Sequence, residues 1–284
     1  QCIFLCSGSE AVEYGVRVAQ ALSDGPLLMT MHDSYFGAYG SARRREASAW
    51  FSFDWSDCAG CTHSCCSEAC PHWAAIPFDR IGGFLFEPGS ASGLVRFPPD
   101  KLIRAIVDTI KAQDGLLLVN EVTTGMGRTG KWFGYQHYGL SPDIVAMGKG
   151  LGNGYPVSAT ALAAPVAERL ATQPVAYAQS HMNDPLGAVV AHSVIQVIRD
   201  EGLIERGRQM AVMLADGLAG IRARSGRIAD LRWRGPMMAL ELHDDPRASR
   251  TTRTHRSLVE CGYILAQRPG LNVLRLDPCL TIEQ

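Results

Sequence analysis

Gly83-Phe84-Leu85-Phe86, then Pro98-Pro99-Asp100 ahead of Leu102, Ile103, Ile106, Val107 and Ile110, then Leu116-Leu117-Leu118-Val119: the chain runs apolar strand, amphipathic helix, apolar strand. Neither flanking run has a polar alternate position, so both faces of each strand are expected to be buried, as in the centre of a parallel sheet. Between them the apolar residues recur at helical spacing behind a proline and an acid, which is how a helix starts. This is one β-α-β unit. Ile144-Val145-Ala146-Met147 has the same character and predicts another strand of the same sheet, again with both faces buried.

Cys2-Ile3-Phe4-Leu5 reads as a strand already under way. Because the chain begins with Gln1 rather than Met, it is expected to be a piece of a longer protein. From Asp184-Pro185 the pattern turns long and helical, through Val189, Val194 and Ile198 and again from Met210 to Ile221. Strand-like Met237–Leu242 and Asn272–Leu276 then flank a helix predicted over 254–266. The expected fold is α/β: a large domain over 1–199 with a mostly parallel sheet, and a smaller C-terminal α+β domain over 200–284.

At 284 residues, 46% hydrophobic and 19% charged, the chain is long and apolar enough for a real core. Lys+Arg 27 against Asp+Glu 28 leaves a formal charge of −1, with no electrostatic footprint for nucleic acid or an anionic membrane. A small molecule is the expected partner. No apolar run approaches the ~18 residues that span a bilayer. Nine cysteines, an odd number without an export signal, point to mostly free thiols in a reducing, cytoplasmic setting. Five of them crowd together as Cys58, Cys61, Cys65, Cys66 and Cys70, with His63 and His72 nearby. Closely spaced thiolates can converge on tetrahedral zinc or an iron–sulfur cluster; a cysteine-rich loop without metal is the alternative. No residue is assigned as a metal ligand, and the stretch reads as structural either way.

Three further segments bear on chemistry. Gly125-Met126-Gly127-Arg128-Thr129-Gly130 matches the dinucleotide fingerprint, but the aromatic run that follows lacks helical periodicity, and Gly150 stands where an acid is needed about 20 residues on. Ser7-Gly8-Ser9-Glu10 has capping-box spacing ahead of Val12, Val16, Ala19 and Leu22. That would open the amides of Gly8 and Ser9 to a phosphate, although a capped helix without a ligand reads the same way. In Asp143–Pro156, Lys149 follows an apolar strand with glycine on both sides. Partial desolvation there would free the amine for Schiff-base chemistry, while a glycine-rich turn with an incidental lysine is the alternative.

Taken in order, Ser7–Ala11, Ser34-Tyr35-Phe36-Gly37, Glu87-Pro88, Glu121-Val122 through Gly130, Pro142-Asp143 to Lys149-Gly150, Asn183-Asp184-Pro185, Arg234-Gly235 and Leu274–Pro278 resemble the class III aminotransferases, pyridoxal-phosphate enzymes of fold type I. The resemblance implies a seven-stranded-type sheet, pyridoxal 5'-phosphate as cofactor, a homodimer with shared active sites, and segments missing at both ends. It implies that Lys149 carries the cofactor and shuttles the proton, and that Gly8 and Ser9 hold the phosphate. Tyr35 and Val122 fall where the family covers the two faces of the pyridine, and Ser180 where a threonine reaches the phosphate from the neighbouring subunit. Glu87 and Arg275 fall near a substrate-carboxylate switch.

Three positions depart from the family pattern. Asn120 replaces the aspartate whose charge keeps the pyridine nitrogen protonated; an amide can hydrogen-bond the ring but cannot hold that proton. Phe36 replaces a histidine, and Thr123 replaces a glutamine that bonds the phenolic oxygen. The implied activity moves an amino group between an amine or amino acid and a keto acid or aldehyde. Epimerisation, aminomutation or decarboxylation shares the same cofactor linkage, and a non-catalytic or metal-linked binding protein is the alternative of another class.

Overall fold

The computed structural model describes residues 1–63, 66–90, 92–243, 249–268 and 270–282. In chain order the first unit contains β1 (Cys2–Leu5), α1 (Gly8–Leu22), β2 (Leu27–Met31), α2 (Ser41–Arg44), β3 (Trp50–Phe53), α3 (Pro71–Ala74), β4 (Ile81–Phe86), α4 (Asp100–Lys111), β5 (Leu116–Asn120), β6 (Ile144–Met147), β7 (Ser158–Leu162), α5 (Ala164–Thr172) and α6 (Pro185–Asp200). There follow α7 (Leu203–Ser225), β8 (Ile228–Arg234), β9 (Met237–Leu242), α8 (Ser249–Glu260), β10 (Ala266–Gln267) and β11 (Val273–Leu276).

Seven strands form one sheet in the order β1-β7-β6-β5-β4-β2-β3. Five pair in parallel, from β6 across to β3, whereas β7 runs antiparallel to both β6 and β1. Two reversals cancel, so β1 points the same way as the five. Successive residues of the central strands go to opposite cores. Leu85 and Leu118 pack with α1 on one face; Phe84, Phe86, Leu117 and Val119 pack with Ile103, Ile106 and Ile110 of α4 on the other. Each such side chain, fully buried, contributes roughly 1.5–3 kcal/mol of transfer free energy. The approach of α1 is close: a Cβ on Gly15 would stand 2.5 Å from Leu118 Cδ1.

The expected burial holds throughout β4 and β5 and fails in β6, where Val145 and Met147 are only partly covered. Met147 packs against the more open cluster that includes Val194 and Ile195 of α6. The carboxylate of Asp143, at the entry to β6, accepts the Leu117 N–H (2.6 Å) and pairs with Lys111, joining β5, β6 and the end of α4.

The second sheet is antiparallel, in the order β10-β11-β9-β8, with α7 packed on β8. The helix predicted over 254–266 instead occupies 249–260. It stops at Gly262, whose φ of 91° is a left-handed value, with the Tyr263 N–H donating to Leu258 O (2.9 Å). Residues 266–267 then become a strand. Among the described residues no helix is long and apolar enough to cross a membrane.

Candidate active site

Since β1, β2, β4, β5 and β6 run in one direction, their C-terminal ends emerge on one side of the sheet, where open α/β sheets bind ligands. Gly8 and Ser9 follow β1, Tyr35 follows β2, Glu87 follows β4, Asn120 to Thr123 end β5, and Lys149 follows β6.

The predicted capping box is present. Ser7 Oγ accepts the Glu10 N–H (3.3 Å), and Glu10 Oε2 accepts the N–H groups of Ser7 (2.7 Å) and Cys6 (2.8 Å). Ser158 Oγ donates to Ser7 O (2.7 Å), pinning the cap to β7. Gly8 and Ser9 are thus the first two residues of a fifteen-residue helix, whose opening amides have no intrahelical acceptor. A Cβ on Gly8 would lie 2.5 Å from Val122 Cγ1, and one on Gly148 would lie 3.4 Å from the Gly8 Cα. Helix start, Val122 and the residue before Lys149 therefore meet at backbone distance. Ser9 Oγ accepts the Ala38 N–H (3.1 Å).

Asn120 is buried, and both ends of its amide have a partner. Its Nδ2 donates to Tyr35 O (3.0 Å), and its Oδ1 accepts the Val122 N–H (3.1 Å). The carbonyl only accepts and the amide only donates, which fixes the orientation of the side chain. Tyr35 N–H in turn donates to Glu87 Oε2 (3.0 Å), so β5, Tyr35 and the buried Glu87 form one chain, while the Tyr35 side chain stays 42% exposed. Phe36 is buried beneath the Arg45 guanidinium, 5.0 Å from its ring centroid, and Arg45 also donates to the carbonyls of His32, Ser34 and Ala42. The residue after Tyr35 is therefore an anchor for its loop.

Lys149 sits at φ 43°, an uncommon left-handed value for a residue with a side chain. Its Nζ donates to Thr123 Oγ1 (2.5 Å). Desolvation pushes the ammonium below the ordinary lysine range; the charge of Glu87 opposes this and that of Arg275 adds to it. Beyond the amine opens a cavity of about 640 Å³, lined by Thr123, Met126, Val197, Leu280, Arg275 and Asp277 among others. Arg275 pairs with Asp277, at 2.6 Å from Nε and 3.2 Å from Nη2. Ser180 lies outside this cavity. It is exposed on the loop before α6, which Asn183 holds to β1 through reciprocal 2.9 Å bonds with Phe4 and which Asp184 ends by capping the helix.

Sequence reasoning missed Glu121. This buried carboxylate accepts from Thr124 Oγ1 (2.6 Å) and from the N–H groups of Gly134 (2.9 Å) and Tyr135 (2.8 Å), folding the 122–135 loop back over the strand end. Burial raises its carboxyl to about 7, against the pull of those three donors. The only signal was an acid wedged between Asn120 and Val122. The glycine fingerprint opens no helix: Met126, Gly127 and Gly130 have φ of 56°, 86° and 78° within turns.

Residues 56–284 match the family model described as Aminotransferase class-III. The leucine/methionine racemase of Thermococcus litoralis is 28% identical over 308 residues, covering 99% of this chain and 69% of that protein. The taurine–pyruvate aminotransferase of Bilophila wadsworthia is 34% identical over 175 residues, covering 59% of this chain and 38% of that protein. That match thus spans well under half of the latter's length. Among solved structures, an S-selective transaminase from Arthrobacter sp. with alanine bound superposes with a TM-score of 0.87 at 20% identity, covering 100% of this chain and 72% of that one. Fold, strand-end constellation and family match agree: the chain belongs to the class III aminotransferases, pyridoxal-phosphate-dependent enzymes of fold type I.

Proposed function

We propose that this chain is the catalytic core of an aminotransferase that moves an amino group between an amine or amino acid and a keto acid or aldehyde. The observation that carries the reading is the Lys149 amine, held on Thr123 and open to a substrate-sized cavity. Pyridoxal phosphate fits the residues present: helix-start amides for a phosphate, glycines at Gly8 and Gly148 where a Cβ would crowd Val122 and the Gly8 backbone, and a hydroxyl on the amine. When bound, that group supplies the electron sink for the carbanion.

The protein's own residues supply the rest. Gly8 and Ser9 bind the phosphate by their amides, Tyr35 and Val122 confine the ring, and Asn120 and Thr123 offer hydrogen bonds at its edge. Lys149 Nζ, its basicity lowered by burial, takes and returns the proton at the substrate carbon. Glu87 and Arg275 set the charge facing the substrate carboxylate. Ser180, exposed on its loop, reaches the phosphate of a partner subunit in a homodimer. The chain divides near residue 200, a boundary supported by α7 packing on β8 of the second sheet while α6 packs on β1 of the first, although the two helices also pack on each other. The cytoplasm is the proposed compartment, supported by the eight described cysteines all being thiols.

A visible absorption band that disappears in Lys149→Ala, with release of keto product from an amine donor, tests the reading; a colourless protein that binds no cofactor refutes it. Racemisation is the second reading, favoured by the racemase relative that covers 99% of the chain and by the uncharged amide at position 120. Loss of optical activity in a single amino acid without keto product would establish it in place of transamination.

A further inference from the structure

The cysteine-rich stretch between β3 and β4 takes no part in the proposed reaction, yet it folds around a space of its own. In one turn the Cys58 carbonyl accepts the Cys61 N–H (3.2 Å). In another the Cys70 N–H donates to Ser67 O (2.8 Å), immediately before α3. Lys101, in the first turn of α4, donates through Nζ to the carbonyls of Cys61 (2.6 Å) and His63 (2.5 Å), tying the loop to the large sheet's helical layer.

Cys58, Cys61, Cys66 and Cys70 all line one cavity of about 30 Å³, with Trp73 and Leu102 among its apolar walls. That leaves room for a single ion among the sulfurs. Four thiolates in such a place need a cation to offset their mutual repulsion. His63 and His72 also border the cavity, and His72 Nε2 lies 3.8 Å from Asp57 Oδ2. Among the described residues no three Cys, His, Asp or Glu side chains already form a metal-holding group, so an ion has to draw the sulfurs inward. Cys65 lies outside the described residues.

We propose that Cys58, Cys61, Cys66 and Cys70 form a structural zinc site. Their spacing, C-x2-C-x4-C-x3-C, brings two sulfurs from one turn and two from the stretch that leads into α3, the supply that a closed tetrahedral site of four thiolates requires. Zn²⁺ displaces the thiol protons, about four per ion, and no electron changes hands. The bound ion cross-links the β3–β4 connection and, through Lys101, fixes it against α4.

The test uses the intact chain expressed in zinc-replete medium. Elemental analysis should find about one zinc per chain. Ellman's reagent should leave the four thiols shielded until a chelator strips the ion. Cys66→Ser combined with Cys70→Ser should lower the zinc content at least about tenfold. Should that variant not fold, stripping the wild type with chelator should lower its thermal midpoint, and zinc but not magnesium should restore it. Lys149→Ala should keep its zinc, which separates this site from the cofactor reading. Chains free of zinc whose thiols react at once, or chains carrying iron with a cluster absorption, would overturn the proposal.

Discussion

Asn120→Asp exchanges an amide for the carboxylate usual in the family, and the structure makes that exchange costly in the absence of cofactor. The Nδ2–H that reaches Tyr35 O at 3.0 Å is lost, and an acceptor oxygen is left facing an acceptor carbonyl, while the bond from Val122 N–H survives. At 3% exposure little water can replace the lost donor. An unpaired buried carbonyl costs about 1–3 kcal/mol, a substantial part of the roughly 5–15 kcal/mol that keeps a domain folded. On the proposed reading cofactor should change the sign of the effect, because the new anion would gain a protonated ring nitrogen as partner. Urea melts of both proteins, with and without pyridoxal phosphate, read the two terms separately. The apo variant should be less stable than the apo wild type by that amount, cofactor should stabilise the variant more than the wild type, and single-turnover amine transfer should be faster. An apo variant within about 0.5 kcal/mol of wild type would refute the Asn120–Tyr35 clamp, given the expected cost. Unchanged single-turnover rates would refute the claim that the amide weakens the electron sink.

Gly8→Ala places a methyl 2.5 Å from Val122 Cγ1, so cofactor affinity should fall at least about tenfold by equilibrium titration, and Val122→Ala in the same chain should recover part of it. Glu121→Ala leaves one hydroxyl and two amide donors without their acceptor and should destabilise the chain by about 2–5 kcal/mol in chemical denaturation. The wild-type carboxyl, raised to about 7 when folded from 4.5, binds a proton that the unfolded chain has released. Its contribution to stability is therefore greatest below about 4.5, falls as pH rises toward 7 and is level above; the alanine variant should lack that slope. Ile106→Ala, in the α4 layer against the sheet, should cost about 2–5 kcal/mol without altering the absorption of bound cofactor.

What could be read from the sequence, and what could not, follows from how local each determinant is. The centre of the sheet was readable because Leu116–Val119 and Gly83–Phe86 carry no polar residue at any alternate position, a pattern only a strand buried on both sides sustains. Ser7 and Glu10 satisfy each other within one turn, so three-residue spacing was enough to find the helix start beside Gly8. The end of α8 was misplaced because Gly262 offers a stop while Tyr263, Ile264 and Leu265 continue the apolar pattern; the left-handed cap won. β6 was read as doubly buried because Val145 and Met147 are apolar, although how much cover they receive depends on α6, distant in sequence. Glu121 shows the limit most clearly. Its donors lie three, thirteen and fourteen residues away, and two of them are backbone amides whose positions have no side-chain signature. The same reasoning explains why position 120 was noticed for its identity but not for its bonds: replacing an aspartate is visible in the sequence, whereas the carbonyl it must satisfy belongs to Tyr35, eighty-five residues earlier. On the proposed reading the amide therefore does two things at once, satisfying Tyr35 O and setting the charge that the ring nitrogen would meet, and an aspartate could take over the second only by giving up the first.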